Sequence, residues 1–334
     1  MESELIGVRG LRVSFASDAG IARVLDGVDL TIRRGEIMGL VGESGCGKTT
    51  LARSILGILP RNAARIEAGE IRFEGWSLLG LGETELAAQI RGREVAYIPQ
   101  DPFTAFNPVF TIGTQIEDLM RFKSPLLRDG RMSARERRRA DRARVLDLLR
   151  LVQLPDPEGV LRKYPHEVSG GQRQRLMIAM ALLPEPKLVI ADEPTTALDV
   201  TVQAQILKLL KGLARDRGVA VLFTTHDLGT AYEICDRITV MYAGQEVEEA
   251  PVASFFEAPS HPYTRKLIDS LPSSENGIRG IAGEIPRLVN PPSGCRFHPR
   301  CERATDACRA SRPAPSAVAA GHGVRCHHPL QGAA

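Results

Sequence analysis

The stretch "GESGCGKTT" occupies residues 42–50 and has the spacing G-x-x-x-x-G-K-T. It follows the apolar segment "EIMGLV", which predicts a strand, and it opens "TTLARSILGIL", which predicts a helix. In this context glycines let consecutive backbone N–H groups curve round phosphate oxygens, and the dipole of the helix N-terminus favours negative charge. The stretch therefore predicts a P-loop that binds the phosphates of a nucleotide.

Within this loop, two side chains carry specific predictions. We expect the Lys48 ammonium to contact the β- and γ-phosphates of ATP, and the Thr49 hydroxyl to ligate Mg²⁺. The other residues expected around the phosphates are Gly42, Ser44, Gly45, Cys46, Gly47 and Thr50.

Two adjacent carboxylates end the apolar segment "KLVIADEP" at residues 187–194. Asp192, at the tip of this predicted strand, suits the Mg²⁺ shell, and Glu193 suits the polarisation of an attacking water. Taken alone, an Asp-Glu pair also fits a solvated loop. Together with the loop at residues 42–50 it predicts hydrolysis of ATP by in-line attack of water.

A second phosphate site is predicted at "VSGGQRQR", residues 168–175, which precedes the apolar helix "LMIAMALL". Ser169, Gly170 and Gly171 would stand at the N-terminus of that helix, where backbone N–H groups favour an anion. One nucleotide hardly needs two such cradles from one chain. A second copy of the fold would use this one across an interface.

The motifs "GESGCGKT", "IPQDP", "VSGGQ", "VIADEP", "TALD" and "TTHD" stand in the order and spacing of ABC transporter ATPase subunits, and the resemblance covers about residues 5–330. It implies an α/β fold, a P-loop ABC ATPase with a RecA-like mixed sheet core, an antiparallel β subdomain and an inserted helical subdomain. The nucleotide-binding domain would span residues 1–255, with the helical subdomain at about 101–180. A small Cys-containing C-terminal extension would follow at 256–334.

The same resemblance implies that two such subunits sandwich two ATP molecules, each between one subunit's P-loop and the other's "SGGQ" segment. Gln100 would sense Mg²⁺ and the attacking water, and His226 would contact the γ-phosphate and hold Glu193 and the water in line. The other residues expected at the nucleotide are Ser169, Gly170, Gly171 and Gln172 at the partner-bound ATP, Asp199 at the dimer seam, and Phe15 as the best candidate for stacking on adenine.

Three segments look like the branch of the family that imports peptides: residues 91–116, residues 194–207 and "APSHPYTRKLIDSLP" at 258–272. Nickel and glutathione importers share this branch, and a non-transport ABC ATPase is a further alternative. The resemblance implies a second ABC ATPase subunit, as a paralogue or a second copy, and two transmembrane permease subunits. It also implies an extracytoplasmic substrate-binding protein and a peripheral position on the cytoplasmic face of the inner membrane.

Four of the six cysteines lie in the tail, as Cys295, Cys301, Cys308 and Cys326 with the spacing C-x5-C-x6-C-x17-C. Zinc is the default for four thiolates, but zinc sites usually show tight C-x2-C pairs, and iron–sulfur clusters accept wider spacings. Members of the resembling branch with such cysteines look like [4Fe–4S] proteins, so this cluster is expected, with Zn²⁺ as the alternative. A histidine could replace a thiolate; the candidates are His298, His322, His327 and His328.

The overall charge sets a limit on partners. The net charge is only +3, with 43% hydrophobic and 25% charged residues, which is typical of a globular protein with a sizeable core. The basic run at residues 135–144 fits a solvated helix face, or contact with anionic lipid headgroups or a partner. No aromatic residues interleave that run, so we expect no nucleic-acid partner.

Overall fold

A computed structural model describes residues 4–128, 132–195, 200–271 and 280–330. The chain forms two compact units, one of Met1–Leu81 with Phe223–Ala334 and one of Gly82–Leu222. The first unit thus contains both the predicted P-loop and the cysteine-containing tail.

Strands and helices alternate along most of the chain. The strands are β1 (Glu4–Ser17), β2 (Gly20–Arg33), β3 (Ile37–Val41), β4 (Ala64–Phe73), β5 (Trp76–Ser77), β6 (Val95–Ile98), β7 (Leu188–Asp192), β8 (Ala220–Thr225), β9 (Arg237–Tyr242), β10 (Gln245–Pro251), β11 (Ser316–Ala319) and β12 (His322–Val324). The α-helices are α1 (Lys48–Leu56), α2 (Glu83–Glu85), α3 (Ile112–Lys123), α4 (Ala134–Leu151), α5 (Pro157–Leu161), α6 (Gly170–Leu182), α7 (Val200–Arg217), α8 (Leu228–Ile234), α9 (Val252–Glu257), α10 (Pro262–Asp269) and α11 (Asp306–Ala310).

An antiparallel sheet with the strand order β2-β1-β4-β5 makes up part of the first unit. Buried apolar side chains such as Ile6 and Val8 line β1, while the register shifts beside Gly10, which has a φ of 57°. Such a shift is a bulge that bends the strand, and glycine adopts the positive φ without strain. The predicted antiparallel β subdomain is confirmed.

A mixed sheet forms the rest of the core of the first unit, with β3 parallel to β9 and β9 antiparallel to β10. Every residue of β3 and β9 is buried, as expected for strands covered on both faces. Ala243 and Gly244 join β9 to β10 with φ values of 46° and 84°, which is typical of a tight two-residue hairpin. The predicted mixed sheet core is confirmed.

The second unit is mainly helical and carries the parallel strand pair β6 and β7. Its helix α4 starts at a capping box, in which the Ser133 side chain accepts the N–H of Glu136 and the Glu136 carboxylate accepts the N–H of Ser133. The fold class predicted an inserted helical subdomain, and α3 to α6 lie in that part of the chain. Its expected limits at about 101–180, like the expected boundary at 255, stay predictions.

The tail is attached to the first unit through strand pairing and buried charges. The hairpin of β11 and β12 pairs with β10. In β12, His322 Nε2 lies 2.7 Å from Glu248 Oε1 on β10. The buried Glu248 carboxylate also accepts the backbone N–H groups of Ser260 and His261, each at 2.7 Å. Burial alone would raise the pKa of Glu248, but these hydrogen bonds outweigh it and the pKa is lowered.

Among the helices of the described ranges, none combines the length and the apolar character that a membrane span requires.

We predict that Glu248→Gln destabilises the first unit at pH 7 by about 1.5–3 kcal/mol, because an amide nitrogen replaces one acceptor oxygen among three donors. A carboxylate with a lowered folded pKa stabilises the fold above its unfolded value of 4.5, and this contribution is lost as the pH falls through the folded pKa. The difference in the free energy of unfolding between wild type and variant should therefore become smaller below pH 4.5. Chemical denaturation at several pH values measures this free energy.

The matched control is Glu257→Gln, at an exposed position at the end of α9. This variant should have nearly the stability of the wild type at every pH. Equal pH dependence for wild type and Glu248→Gln would contradict the assigned role of Glu248.

Candidate functional site

The predicted P-loop, residues 42–50, runs from the end of β3 to the first turn of α1 in the first unit. Gly42, Gly45 and Gly47 have φ values of 151°, 80° and 109°. A Cβ at Gly42 would stand 2.2 Å from the Met241 carbonyl oxygen, so that no larger residue fits. The loop therefore has the backbone conformation that the glycines in its sequence predicted.

Lys48 is the first residue of α1 and is buried, with its Nζ donating to the Gly42 carbonyl at 2.7 Å. The N-cap of α1 is Gly47, which provides no side chain to satisfy the first N–H groups of the helix. Thr49 and Thr50 are half-buried, and Ser44 and Gly45 are exposed. Backbone donors, a helix dipole and an ammonium group thus meet at one point, which is an anion site.

Glu193 and Gln100 come together in the second unit, where the Gln100 amide donates to the Glu193 carboxylate at 2.8 Å. Gln100 lies just after β6, and Glu193 follows β7 with a φ of 47°. A positive φ is uncommon for a residue with a side chain and is found preferentially at functional sites. Two of the predicted catalytic residues are therefore in direct contact.

The predicted Mg²⁺ ligand Asp192 is buried at the end of β7. The Tyr97 hydroxyl, on the parallel neighbour β6, donates to its Oδ2 at 3.0 Å. The sequence reasoning did not identify Tyr97, because its only signal was an aromatic residue within a predicted strand. The Tyr97 hydroxyl therefore helps to orient the Asp192 carboxylate.

The predicted second phosphate site is the N-terminus of α6. The Ser169 hydroxyl accepts the Gln172 N–H at 3.3 Å, and the Gln172 side chain accepts the Ser169 N–H at 3.1 Å. Ser169 is exposed, and a Cβ at Gly171 would meet nothing within 4 Å. An anion can therefore approach this helix end closely, next to Gly170.

The remaining nucleotide-site predictions concern three separate positions. His226 is exposed just after β8. Phe15 is half-buried on β1, opposite Ala22 on β2 and Ala64 on β4. Asp199 lies outside the described residues.

The four tail cysteines line one small cavity that is partly open to solvent. Burial raises the pKa of Cys295, Cys301 and Cys326, the last to about 11. However, in the ranges that the structure describes, no three His, Cys, Asp or Glu side chains form a group able to hold a metal ion. This geometry therefore does not support the predicted [4Fe–4S] cluster, which stays a prediction.

The tail histidines make other contacts. The ring nitrogens of His298, His327 and His328 lie 2.8–2.9 Å from the Cys295 carbonyl, the Ser311 carbonyl and the Thr305 hydroxyl, and His322 contacts Glu248. His261 also lines the cysteine cavity, and burial lowers its pKa to about 4. Its Nδ1 accepts the Tyr263 N–H, and its buried Nε2 has no hydrogen-bond partner among the described residues. The neutral ring therefore has a donor to spare beside the four thiols.

Two protein families match this chain. The ABC transporter family matches residues 25–196, and the oligopeptide/dipeptide transporter C-terminal region matches residues 247–308. The first match contains the P-loop and the carboxylates at Asp192 and Glu193, and the second contains three of the four tail cysteines.

Curated relatives match over nearly their whole length. A probable peptide ABC transporter ATP-binding protein of Sinorhizobium fredii is 46% identical, covering 96% of this chain and 94% of the relative. The dipeptide transport ATP-binding protein DppD of Bacillus subtilis is 42% identical, and the match covers 97% of this chain and 94% of the relative. DppD of Escherichia coli is 41% identical, and the match covers 98% of each chain.

Solved structures agree with this likeness. A dimeric ATP-binding cassette bound to ADP and Pi in a post-hydrolysis state has a TM-score of 0.63 and 30% identity, covering 74% of this chain and 98% of that one. A component of a Clostridium perfringens ABC transporter complex has a TM-score of 0.60 and 25% identity, covering 76% of this chain and 91% of that one.

Proposed function

Because the chain belongs to the ATP-binding proteins of ABC transporters, in the oligopeptide and dipeptide branch, we propose that it hydrolyses ATP to power the import of di- or oligopeptides. The names of its relatives support peptide rather than nickel or glutathione as cargo. We also propose a nucleotide-binding domain at residues 1–255 and an importer-type extension at 256–334, in keeping with the two family matches.

The observation that carries the proposed chemistry is the hydrogen bond from Gln100 to Glu193. These residues are 93 positions apart, and in-line hydrolysis needs both groups at one water molecule. We propose that the Glu193 carboxylate accepts a proton from that water. The Gln100 amide then holds the carboxylate in the orientation that proton transfer requires.

In the proposed reaction, the water oxygen bonds to the γ-phosphorus while the bond to the β–γ bridging oxygen breaks. Glu193 takes the proton of the water, and the leaving electron pair stays on ADP. His226 is proposed to contact the γ-phosphate and to keep Glu193 and the water in line. Mg²⁺, when bound, neutralises charge on the phosphates, with Thr49, Gln100 and Asp192 as its proposed ligands.

For the loop residues we propose the roles that the sequence predicted. Lys48 and the backbone N–H groups around it are proposed to bind the β- and γ-phosphates, supported by the helix N-terminus at α1. Phe15 is proposed to stack on adenine, and its half-buried position on β1 is compatible with that role.

A second ATP-binding subunit is the proposed partner in hydrolysis. The exposed N-terminus of α6, with Ser169, Gly171 and Gln172, would contact the γ-phosphate of the ATP bound by that subunit, and Asp199 would line the seam. The dimeric form of a similar cassette bound to ADP and Pi supports this arrangement. A paralogue and a second copy of this chain both satisfy it.

The proposed assembly is a complete importer. Two transmembrane permease subunits would hold the ATPase pair at the cytoplasmic face of the inner membrane, and an extracytoplasmic binding protein would deliver the peptide. The peptide-transport names of full-length relatives support this assignment.

We further propose that the tail holds a [4Fe–4S] cluster, with Zn²⁺ as the alternative. Four thiols line one cavity, and three nearby histidines already have other partners, so the chemistry of the available donors favours four thiolates. The Nε2–H of His261 beside them has no hydrogen-bond partner within the described part of the chain and suits a hydrogen bond to sulfur. Bonds to metal would then stabilise a segment with little apolar core.

Glu193→Gln should reduce ATP turnover by roughly 10²–10⁴-fold, because the amide cannot accept the proton of the attacking water. Its ATP affinity should stay near that of the wild type. Lys48→Ala should instead weaken binding itself, since it removes the ammonium from the loop. Phosphate release and titration with a fluorescent ATP analogue measure the two effects; normal turnover by Glu193→Gln would refute its assignment as general base.

Purification of this chain from native membranes should recover two multi-spanning permease subunits and a second ABC ATPase. Mass spectrometry identifies the partners, and the peptide-binding protein of the same system then identifies the cargo. Recovery with ribosomes or DNA, and without membrane proteins, would contradict the importer assignment.

Anaerobic purification should give a brown protein with about four iron and four sulfide per chain. Cys301→Ser should bleach it and make the tail more sensitive to protease, while ATP binding at Lys48 persists. Cys235→Ala, which removes a buried thiol outside the tail, should keep the colour. If the purified protein contained stoichiometric zinc and no iron or sulfide, the cluster assignment would be wrong and a zinc site would be correct.

A further inference from the structure

Glu43 places a carboxylate inside a loop that is built for anions. It is the second residue of the G-x-x-x-x-G-K-T motif, and its side chain is only 24% exposed. An unpaired carboxylate here would repel the phosphates that the loop binds, because two like charges at short range in a partly buried site interact strongly. The sequence alone names no partner for it among 43 Lys and Arg residues.

The partner is Arg300, in the short turn between Cys295 and Cys301 of the tail. Its two terminal nitrogens donate to the two Glu43 oxygens at 2.8 and 3.2 Å, a bidentate pair. The Arg300 side chain is 3% exposed.

Its remaining N–H groups are also used. They donate to the Tyr242 hydroxyl and to the carbonyls of Ile281 and Ala282 at 3.0–3.3 Å. All five donors of the guanidinium therefore have partners, which fixes its position.

Tyr263, at the start of α10, holds the backbone of the same loop residue. Its hydroxyl oxygen accepts the Glu43 N–H at 3.1 Å. The Glu43 carbonyl accepts the Cys46 N–H at 3.2 Å and lies 3.5 Å from the Lys48 Nζ. The carboxylate, the N–H and the carbonyl of Glu43 are thus each bonded, two of them by residues beyond position 255.

A rigid aromatic cluster supports both contacts. The rings of Tyr242 and Tyr263 meet edge to face at 4.6 Å, and Phe297 lies 5.1 and 5.3 Å from them. All three are buried, and Phe297 also lines the cysteine cavity. Packed aromatic rings of this kind keep their neighbours in one arrangement.

We propose that the C-terminal extension sets the nucleotide affinity of the P-loop, through Arg300, which neutralises and orients Glu43, and Tyr263, which holds its backbone. Both are positioning residues, and the inference rests on the proposed binding of ATP at Lys48. The ATPase would then bind nucleotide tightly only while the tail is docked.

The test is the dissociation constant of a fluorescent ATP analogue for the full chain and its variants. Arg300→Gln should raise it about tenfold, equivalent to 1.4 kcal/mol, by leaving Glu43 unpaired beside the phosphates. Glu43→Gln with Arg300→Gln should restore most of the affinity, because the repulsive charge is gone. Arg300→Lys should fall between, since an ammonium cannot reproduce the planar bidentate contact. In steady-state ATPase assays of Arg300→Gln, the KM for ATP should rise, and kcat should change less than KM.

Tyr263→Phe removes only the hydroxyl and should raise the dissociation constant a few-fold, which tests the second contact even where Arg300→Gln fails to fold. The matched control is Arg309→Gln, which breaks an exposed tail pair with Asp306 and should leave affinity unchanged. Circular dichroism verifies the fold of each variant.

Three outcomes separate the possibilities. A folded Arg300→Gln with wild-type affinity would overturn the inference. The inference would also be wrong if Arg300→Gln lost nucleotide affinity and the double variant did not restore it. Arg300 would then act only by stabilising the tail. A wild-type chain that does not bind the analogue would instead refute the proposed function itself.

Discussion

The constraint on which the rest of this structure depends is that a phosphate-binding loop must present its backbone N–H groups to a ligand rather than to the protein. The chain meets it with glycines at positions where a side chain would collide, as at Gly42 against the Met241 carbonyl. A loop with so few side chains cannot hold its own shape by packing. It therefore relies on β3 and α1 at its ends, and on contacts to residue 43 from a distant part of the sequence.

Those contacts come from a tail that is rich in arginine and poor in apolar residues. Arg296 donates to Asp26 and to the Ala243 carbonyl, and Arg300 pairs with Glu43. Arginine suits this task because its long stem can be buried while its planar head makes several hydrogen bonds at once. Charged hydrogen bonds and strand pairing thus stabilise the tail, whereas hydrophobic burial stabilises the rest of the first unit.

The second unit contains the two carboxylates that are proposed to act at the nucleotide. Tyr97 takes one oxygen of Asp192, and Gln100 takes one oxygen of Glu193. Both of these donors, a phenol hydroxyl and a side-chain amide, are neutral groups. The parallel pairing of β6 and β7 brings these groups together at one end of the strands.

Local features were readable from the sequence because they are completed within a few residues. The G-x-x-x-x-G-K-T loop, the helix N-terminus at Ser169 and the carboxylates at the end of β7 each follow from short-range backbone geometry. The motif order was also sufficient to identify the family. Partner choice was not readable: Arg300 and Glu43 are 257 positions apart, and Tyr97 and Asp192 are 95 apart. Many side chains of the right charge compete for each such contact, and only the packing of strands and helices decides which of them meet.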